Sequence, residues 1–142
     1  MVKKSPTKKS YVIFISHSSK DNFIARQLEK LIKEKCRRYG VKTFLDERDI
    51  KGGDLIAEVI KVNIKKCDEL LVLMSRYSVN RPWVLTEVGA AWGLNKRIVA
   101  ITDKVTPKEM PAIIVPHKAI DLNEFDKYLE ELSNRAKGRL NK

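Results

Sequence analysis

Short apolar runs alternate along the chain with stretches in which apolar residues recur at helical spacing. The first run, 11–15, is rich in β-branched and aromatic residues, and both it and the run at 69–74 are continuous enough for strands covered on both faces. The runs occupy residues 11–15, 41–45, 69–74, 97–101 and, more briefly, 119–120. Four helical stretches lie between and after these runs. The first has apolar residues at Ile24, Leu28, Leu31 and Ile32 and ends before Gly40, and the second has Ile56, Val59, Ile60 and Ile64 on one face. The third extends from Pro82 to about Asn95, and the fourth from Leu122 to about Ala136 with Phe125, Leu129 and Leu132 inward.

This alternation predicts a parallel sheet with helices on both faces and right-handed crossovers. The predicted class is α/β, a flavodoxin-like three-layer sandwich whose five-stranded parallel sheet has the order 2-1-3-4-5. We expect a basic N-terminal tail over 1–10, the domain over 11–136 and a basic C-terminal tail over 137–142. Ligands of such sheets bind outside the carboxyl ends of the strands, which directs attention to the loops at 16–21, 46–53, 75–83 and 102–110.

The composition is that of an ordinary globular domain, with 43% hydrophobic and 33% charged residues. No apolar run approaches the roughly 20 residues that span a bilayer, and no apolar segment follows the charges at the start of the chain, so we expect a cytoplasmic protein without a membrane partner. The two cysteines, Cys36 and Cys67, have no Cys or His at metal-ligand spacing beside them. We expect buried free thiols and no metal site.

The net charge of +11 comes from three segments of the chain. Residues 1–10, 33–42 and 135–142 each carry +4, so the three together carry +12 and everything else carries −1. Two of these segments are chain ends, which are commonly solvated. Aromatic residues do not interleave with the charges as a base-stacking surface would need, and we therefore do not expect direct nucleic-acid binding.

The loops exclude several families that share this architecture. A response-regulator receiver needs acidic residues after the first and third strands, where Ser16-His17 and Ser75-Arg76 stand instead. A flavodoxin needs a Gly-containing phosphate loop after the first strand, and no Gly lies between Tyr11 and Tyr39. The glycine fingerprints of dinucleotide-binding and P-loop domains do not occur in the chain. Function must therefore come from the loops themselves.

Four segments in order resemble bacterial-type TIR (Toll/interleukin-1 receptor) domains. Residues 14–21 (FISHSSKD) resemble the first box of that family, and 44–53 (FLDERDIKGG) resemble the second box and the flexible BB loop. Residues 71–75 with Tyr77-Ser78 resemble the end of the third strand, and Trp83 to Glu87 resemble the W-x-x-x-E segment after it. The resemblance extends from about residue 11 to 136.

The resemblance implies an enzyme that cleaves the nicotinamide–ribose bond of NAD, with NAD as substrate and no separate cofactor. Trp83 and Glu87 lie four residues apart and so share one face of a helix, and the family assigns the catalytic role to the glutamate. By local physics alone, a Glu in this setting is most often a solvated surface residue. The remaining residues predicted to contact the substrate are Ser16, His17, Ser18, Asp46, Arg48, Asp49, Ser75 and Trp83.

Purely structural roles are alternatives to several of these assignments. His17 is as well explained as a loop imidazole bonded to the backbone, Asp46 as a brace of its own loop, and Trp83 as core or pocket wall. Ser16, His17 and Asp21 supply the residue types of a hydrolase triad, but near neighbours in sequence rarely reach that geometry. Arg48 and Asp49, in the BB loop, suit contact with a neighbouring copy.

The leading hypothesis is therefore an NAD+ hydrolase giving nicotinamide and ADP-ribose or a cyclic isomer, active on self-assembly in prokaryotic antiphage or cell-suicide signalling with a separate sensor or effector protein. The alternative is a non-catalytic module that signals through TIR–TIR contacts. A third interpretation is a nucleoside-processing enzyme of related architecture.

Overall fold

The computed structural model describes residues 10–45 and 56–141. Within these ranges, five strands form one parallel sheet in the order β2-β1-β3-β4-β5, which confirms the predicted fold class and order. The strands are β1 (Tyr11–Ser16), β2 (Val41–Leu45), β3 (Glu69–Met74), β4 (Arg97–Thr102) and β5 (Ile120–Asp121). The α-helices are α1 (Asn22–Cys36), α2 (Ile56–Lys66), α3 (Pro82–Gly93) and α4 (Phe125–Leu140).

Each face of the sheet carries its own hydrophobic core, because successive side chains of a strand point to opposite faces. On one face, Ile13, Ile15, Leu71 and Leu73 pack with residues of α1 and α4. On the other, residues such as Phe14 and Val72 pack with residues of α2 and α3. Ser16 shares the parity of Phe14 on β1, so its side chain is directed toward the α2–α3 face. The alternation of side chains along β1 therefore determines which helices the Ser16 side chain can contact.

The amino-terminal edge of the sheet is fastened by a buried carboxylate. Glu69, the first residue of β3, is fully buried and accepts a hydrogen bond from the Tyr11 hydroxyl at 2.8 Å and another from the Tyr128 hydroxyl. A guanidinium nitrogen of Arg135 lies 2.9 Å from the same carboxylate. Burial, followed by the charge of Glu69, raises the pKa of Tyr11 to about 12. This cluster joins β1, β3 and α4.

The details depart from the sequence-based expectation at several positions, among them Leu31 of α1, which is 42% exposed although the helical spacing places it with Leu28 and Ile32. Val59 is 51% exposed, although the helical spacing predicts it on the inner face of α2 with Ile60 and Ile64, which are buried. The last helix continues to Leu140 instead of ending near Ala136, and Arg139 from this extra turn bonds Asp68 at 2.8 Å. Part of the predicted C-terminal tail is therefore helix, held by an ion pair with the residue before β3.

Other expectations hold within the described residues. Phe125, Leu129 and Leu132 are buried, and both cysteines are buried with free thiols, as predicted. The third helix ends at Gly93, two residues before the expected position near Asn95. No helix found in residues 10–45 and 56–141 has the length and apolar character needed to cross a membrane.

Candidate functional site

The predicted site residues that the structure describes gather at the carboxyl edge of the sheet, around β1 and β3. Strand order reverses between these two strands, since β2 continues the sheet on one side and β4 on the other. Helices leave such a switch point toward opposite faces and open a crevice between them. Ser16 ends β1 and Ser75 follows β3, so the two serines flank this crevice.

A buried hydrogen bond joins Ser16 to Glu87. The Ser16 hydroxyl donates to Glu87 Oε1 at 2.7 Å, and both residues have zero exposed surface. Ser16 reaches α3 because its parity on β1 directs it to that face, and Glu87 lies between the buried residues Val84, Val88 and Ala91 of the same helix. The expectation of a solvated glutamate is wrong for this position. Glu87 is a carboxylate held inside the domain beneath the ligand edge.

A second polar cluster links the loop after β1 to the loop after β3. The Ser75 hydroxyl donates to Asp21 Oδ2 at 2.6 Å, and the backbone N–H of Ser75 donates to the Ser78 hydroxyl at 2.8 Å. Ser78 in turn donates to the carbonyl of Leu73 at 2.7 Å. Asp21, Ser75 and Ser78 are buried. The cluster holds the two loops that border the switch point in fixed register.

His17 and Ser18 are also buried, and their hydrogen bonds lie within the loop after β1. His17 Nε2 lies 2.8 Å from Asn22 Oδ1, while the Ser18 hydroxyl accepts from the backbone N–H of Lys20 at 3.2 Å and caps a short 3₁₀ turn. His17 thus bonds a side chain and not the backbone that the structural alternative expected, while Ser18 acts as a turn cap. A Ser16–His17–Asp21 triad is not formed among these described residues, since Ser16 bonds Glu87 and Asp21 bonds Ser75.

Trp83 is half-buried one turn before Glu87 and packs against the core of the α2–α3 face. It begins the helix with Pro82, whose fixed φ suits a first turn. This position agrees with a tryptophan that walls the site.

An open cleft of about 430 Å³ lies over the ends of β3 and β4. It is lined by Ser75, Arg76, Tyr77, Asp103 and Lys104. The backbone N–H of Asp103 donates to the carbonyl of Met74 at 2.8 Å, which holds the two loops together at its floor. The lining brings two cations, Arg76 and Lys104, and one carboxylate, Asp103, to the crevice, and Ser75 connects it to Asp21. Glu87 is not among the residues that line this cleft.

The remaining predicted contacts, Asp46, Arg48 and Asp49, lie outside the described residues, as does the Gly52-Gly53 pair of the BB loop. Across residues 10–45 and 56–141, no group of three or more His, Cys, Asp or Glu side chains is placed to hold a metal ion.

Sequence reasoning missed Asp21 and Ser78 as members of the site. Asp21 directly precedes α1, yet its side chain makes no cap bond there and accepts a hydrogen bond from Ser75 instead. The sequence feature that could have identified these two residues is a polar residue in a loop that follows a buried strand. The pairing itself depends on residues 54 positions apart in the chain.

Two solved structures share this fold. The TIR domain of the Toll-related receptor TRR-2 from Hydra magnipapillata superposes with a TM-score of 0.69 at 21% identity, covering 90% of this chain and 99% of that chain. The 2-desoxiribosyltransferase from Leishmania mexicana has a TM-score of 0.61 at 17% identity, covering 84% of this chain and 97% of that chain. At such identities the likeness concerns the fold alone.

The sequence comparisons are more specific. The NAD(+) hydrolase TcpC of Escherichia coli O6:H1 is 27% identical over 107 residues, which are 70% of this chain and 33% of TcpC, so this chain spans about a third of that relative. A family model described as TIR domain matches residues 13–133. That match includes β1 with Ser16, the loop after β3 with Ser75, and α3 with Glu87. The chain therefore belongs to the TIR domain family.

Proposed function

We propose that this domain is an NAD+ nucleosidase in which Glu87 is the catalytic carboxylate. The observation that carries the proposal is the buried Glu87 side chain, held by Ser16 at 2.7 Å beneath the switch point of the sheet. The naming of TcpC as an NAD(+) hydrolase supports the same assignment. NAD is the substrate, and no separate cofactor is required.

The chemistry suits a single carboxylate. The nicotinamide of NAD+ is a cationic leaving group, so the bond between its nitrogen and ribose C1′ breaks with the electron pair going to nicotinamide and without an acid to protonate it. The ribose then carries positive charge as in glycoside cleavage. A fixed anion stabilises this charge more than it stabilises the substrate, which lowers the barrier. Water attacking C1′ gives ADP-ribose and a proton, whereas attack by another atom of the same nucleotide gives a cyclic isomer.

The cleft beside the switch point offers a place for the rest of the nucleotide. Arg76 and Lys104 line it with positive charge, and a pyrophosphate carries the opposite charge. Ser75 borders both the cleft and the Asp21 cluster. We assign the pyrophosphate to this cleft, with Trp83 as a wall of the nicotinamide end. The roles of His17, Ser18, Asp46, Arg48 and Asp49 in substrate binding stay predictions.

The burial of Glu87 supports an activity that depends on self-assembly. A carboxylate without exposed surface cannot meet a substrate until the elements over it shift, and contact with a second copy supplies binding free energy for such a shift. We propose that TIR–TIR contacts open the site and that a separate sensor or effector protein triggers them. Antiphage or cell-suicide signalling in a prokaryote is the setting in which we place this reaction.

The test is nicotinamide release from NAD by the domain at high concentration and on a crowding surface. Wild type is compared with Glu87→Ala, Glu87→Gln and the control Glu130→Gln, which removes an exposed helix carboxylate. Wild type and the control should release nicotinamide at equal rates, while both Glu87 variants lose the activity.

Three outcomes contradict parts of the proposal. If the assembled wild type releases no nicotinamide, the non-catalytic interaction module replaces it. If Glu87→Gln keeps the wild-type rate, the reaction is real but the assigned residue is wrong. If nucleosides are cleaved and NAD is not, the substrate class is wrong.

A further inference from the structure

The fold brings the described parts of two basic segments, 33–42 and 135–141, toward the edge of the sheet opposite Glu87. Parallel strands begin, and the helices between them end, at the same edge. The last turns of α1 and α4 therefore lie beside the first residues of the strands, as shown by the Lys137 ammonium over the Tyr39 ring at 4.7 Å. Ser10, the residue that follows the basic 1–9 segment in sequence, accepts a hydrogen bond from Arg139 at 3.2 Å.

Exposed cations precede three strands of this edge, β2, β3 and β4, and β1 lies between the first two. Arg37-Arg38 precede β2, Lys65-Lys66 precede β3 and Arg97 begins β4, and all five side chains are exposed. Adjacent strands lie about 4.8 Å apart, so the row from β2 to β4 is about 14 Å long. A nucleic-acid strand carries one charge per roughly 3.4 Å. The row therefore matches the charge of about four consecutive phosphates.

The two carboxylates at the start of β3 do not neutralise the row. Glu69 is buried against Arg135, and Asp68 is bonded by Arg139 and by the backbone N–H of Val12 at 2.8 Å. These carboxylates use cations from α4 and leave those of the row exposed. Cations that are distant in the described sequence, such as Arg37, Lys66 and Arg97, thus lie at one edge of the sheet.

A cleft and an aromatic ring extend this surface. Because β5 pairs with Ile101 and Thr102 at the far end of β4, the first half of β4 is uncovered on that side, and an open cleft of about 490 Å³ lies beside it. Its lining includes Lys96, Arg97, His117, Lys118 and Arg135, with Glu131 as the carboxylate. Trp92, 58% exposed, lies in the last turn of α3 at the same edge. The basic segments of the sequence have no interleaved aromatic residues, which argues against nucleic-acid binding, but the fold places one aromatic residue, Trp92, at this edge.

We propose that this edge, with Arg37, Arg38, Lys65, Lys66, Arg97 and Lys137, is a nucleic-acid-binding surface that contacts successive phosphates. Charge complementarity argues for a polyanion, and the concave cationic cleft fits a phosphate backbone better than a flat bilayer. The surface is separate from the nucleosidase site and does not depend on that assignment. Binding along one polymer would gather several copies of the domain.

The test is fluorescence anisotropy with labelled duplex DNA, single-stranded DNA and single-stranded RNA across about 50 to 200 mM salt. The surface variant carries Arg37→Glu, Lys66→Glu and Arg97→Glu. The matched control carries Lys20→Glu, Lys108→Glu and Lys127→Glu, which lie at the opposite edge. Each substitution changes the charge by two, so both variants have a formal net charge of +5 instead of +11.

Wild type and the control should bind at least one of the three polymers, with log affinity falling about 0.9 per contacted phosphate for each log of salt. The surface variant should bind at least about tenfold more weakly, with a salt slope reduced by about 3. Thermal unfolding shows that each variant is folded. Equal losses of binding in both variants would overturn the proposal. So would a wild-type protein that binds none of the three polymers but sediments with phosphatidylserine vesicles.

Discussion

Removing the Ser16 hydroxyl tests whether the geometry around Glu87 matters for the reaction. Ser16→Ala deletes a buried donor 2.7 Å from Glu87 Oε1 and leaves the backbone of β1 unchanged. A hydrogen bond to a charged group contributes about 1.5–3 kcal/mol. If the carboxylate stabilises the transition state only when it is held in this position, the loss of the hydrogen bond raises the activation free energy by the full amount of about 1.5–3 kcal/mol. The value of kcat then falls by about 10- to 150-fold.

The assay is steady-state nicotinamide release by the assembled domain, because kcat and KM separate the two possible roles. A positioning residue lowers kcat with little change in KM, whereas a ground-state contact raises KM. Ser16→Thr keeps the hydroxyl on a strand-favouring residue and should restore most of the rate. Ser133→Ala removes another buried hydroxyl, bonded to the Leu129 carbonyl at 2.8 Å, and controls for lost stability alone. Wild-type kcat in Ser16→Ala, or an equal loss in Ser133→Ala, refutes the reasoning.

Two further predictions concern the cluster around Glu69. Glu69→Ala leaves two buried hydroxyls and the partly buried Arg135 guanidinium without their acceptor, and it should lower the free energy of unfolding by about 3–5 kcal/mol in urea denaturation. A loss below about 1 kcal/mol, the value expected for the exposed control Glu124→Ala, contradicts this. The raised pKa values of Tyr11 (about 12) and Tyr128 predict that stability is full below pH 10 and falls above it, since the unfolded chain loses these protons first. Tyr11 alone contributes about 3 kcal/mol of this loss. Melting temperatures should therefore fall more steeply between pH 10 and 12 in wild type than in Tyr11→Phe, and equal slopes would count against the assigned cause.

The fold was predictable because its signals are local. The largely apolar runs at 41–45 and 69–74 match the bounds of β2 and β3, and Gly40 adopts the left-handed φ of 78° that ends the first helical segment. Alternation of strands and helices then allows few topologies. Short-range chemistry was sufficient for the sheet and its order.

The polar clusters were not predictable in the same way, since their members are far apart in sequence. Ser16 and Glu87 are separated by 71 positions, and Glu69 by 58 from Tyr11 and 66 from Arg135. The apolar run at 69–74 indicates a strand covered on both faces, but a charged first residue is usually solvated. Only tertiary packing shows that Glu69 is buried and paired.

The two buried glutamates differ in a way that separates structure from chemistry. Glu69 lies at the amino edge, where a guanidinium balances its charge and two phenols satisfy its oxygens, and the packing of β1, β3 and α4 depends on it. Glu69 is thus neutralised by fixed partners and lies at the edge away from the ligand crevice. It therefore cannot stabilise a positive charge that develops on a substrate. Glu87 lies under the carboxyl edge, where ligands bind in doubly wound sheets, and Ser16 at the switch point holds it. By this reasoning Glu69→Gln should affect unfolding and leave kcat unchanged, and Glu87→Gln should do the reverse.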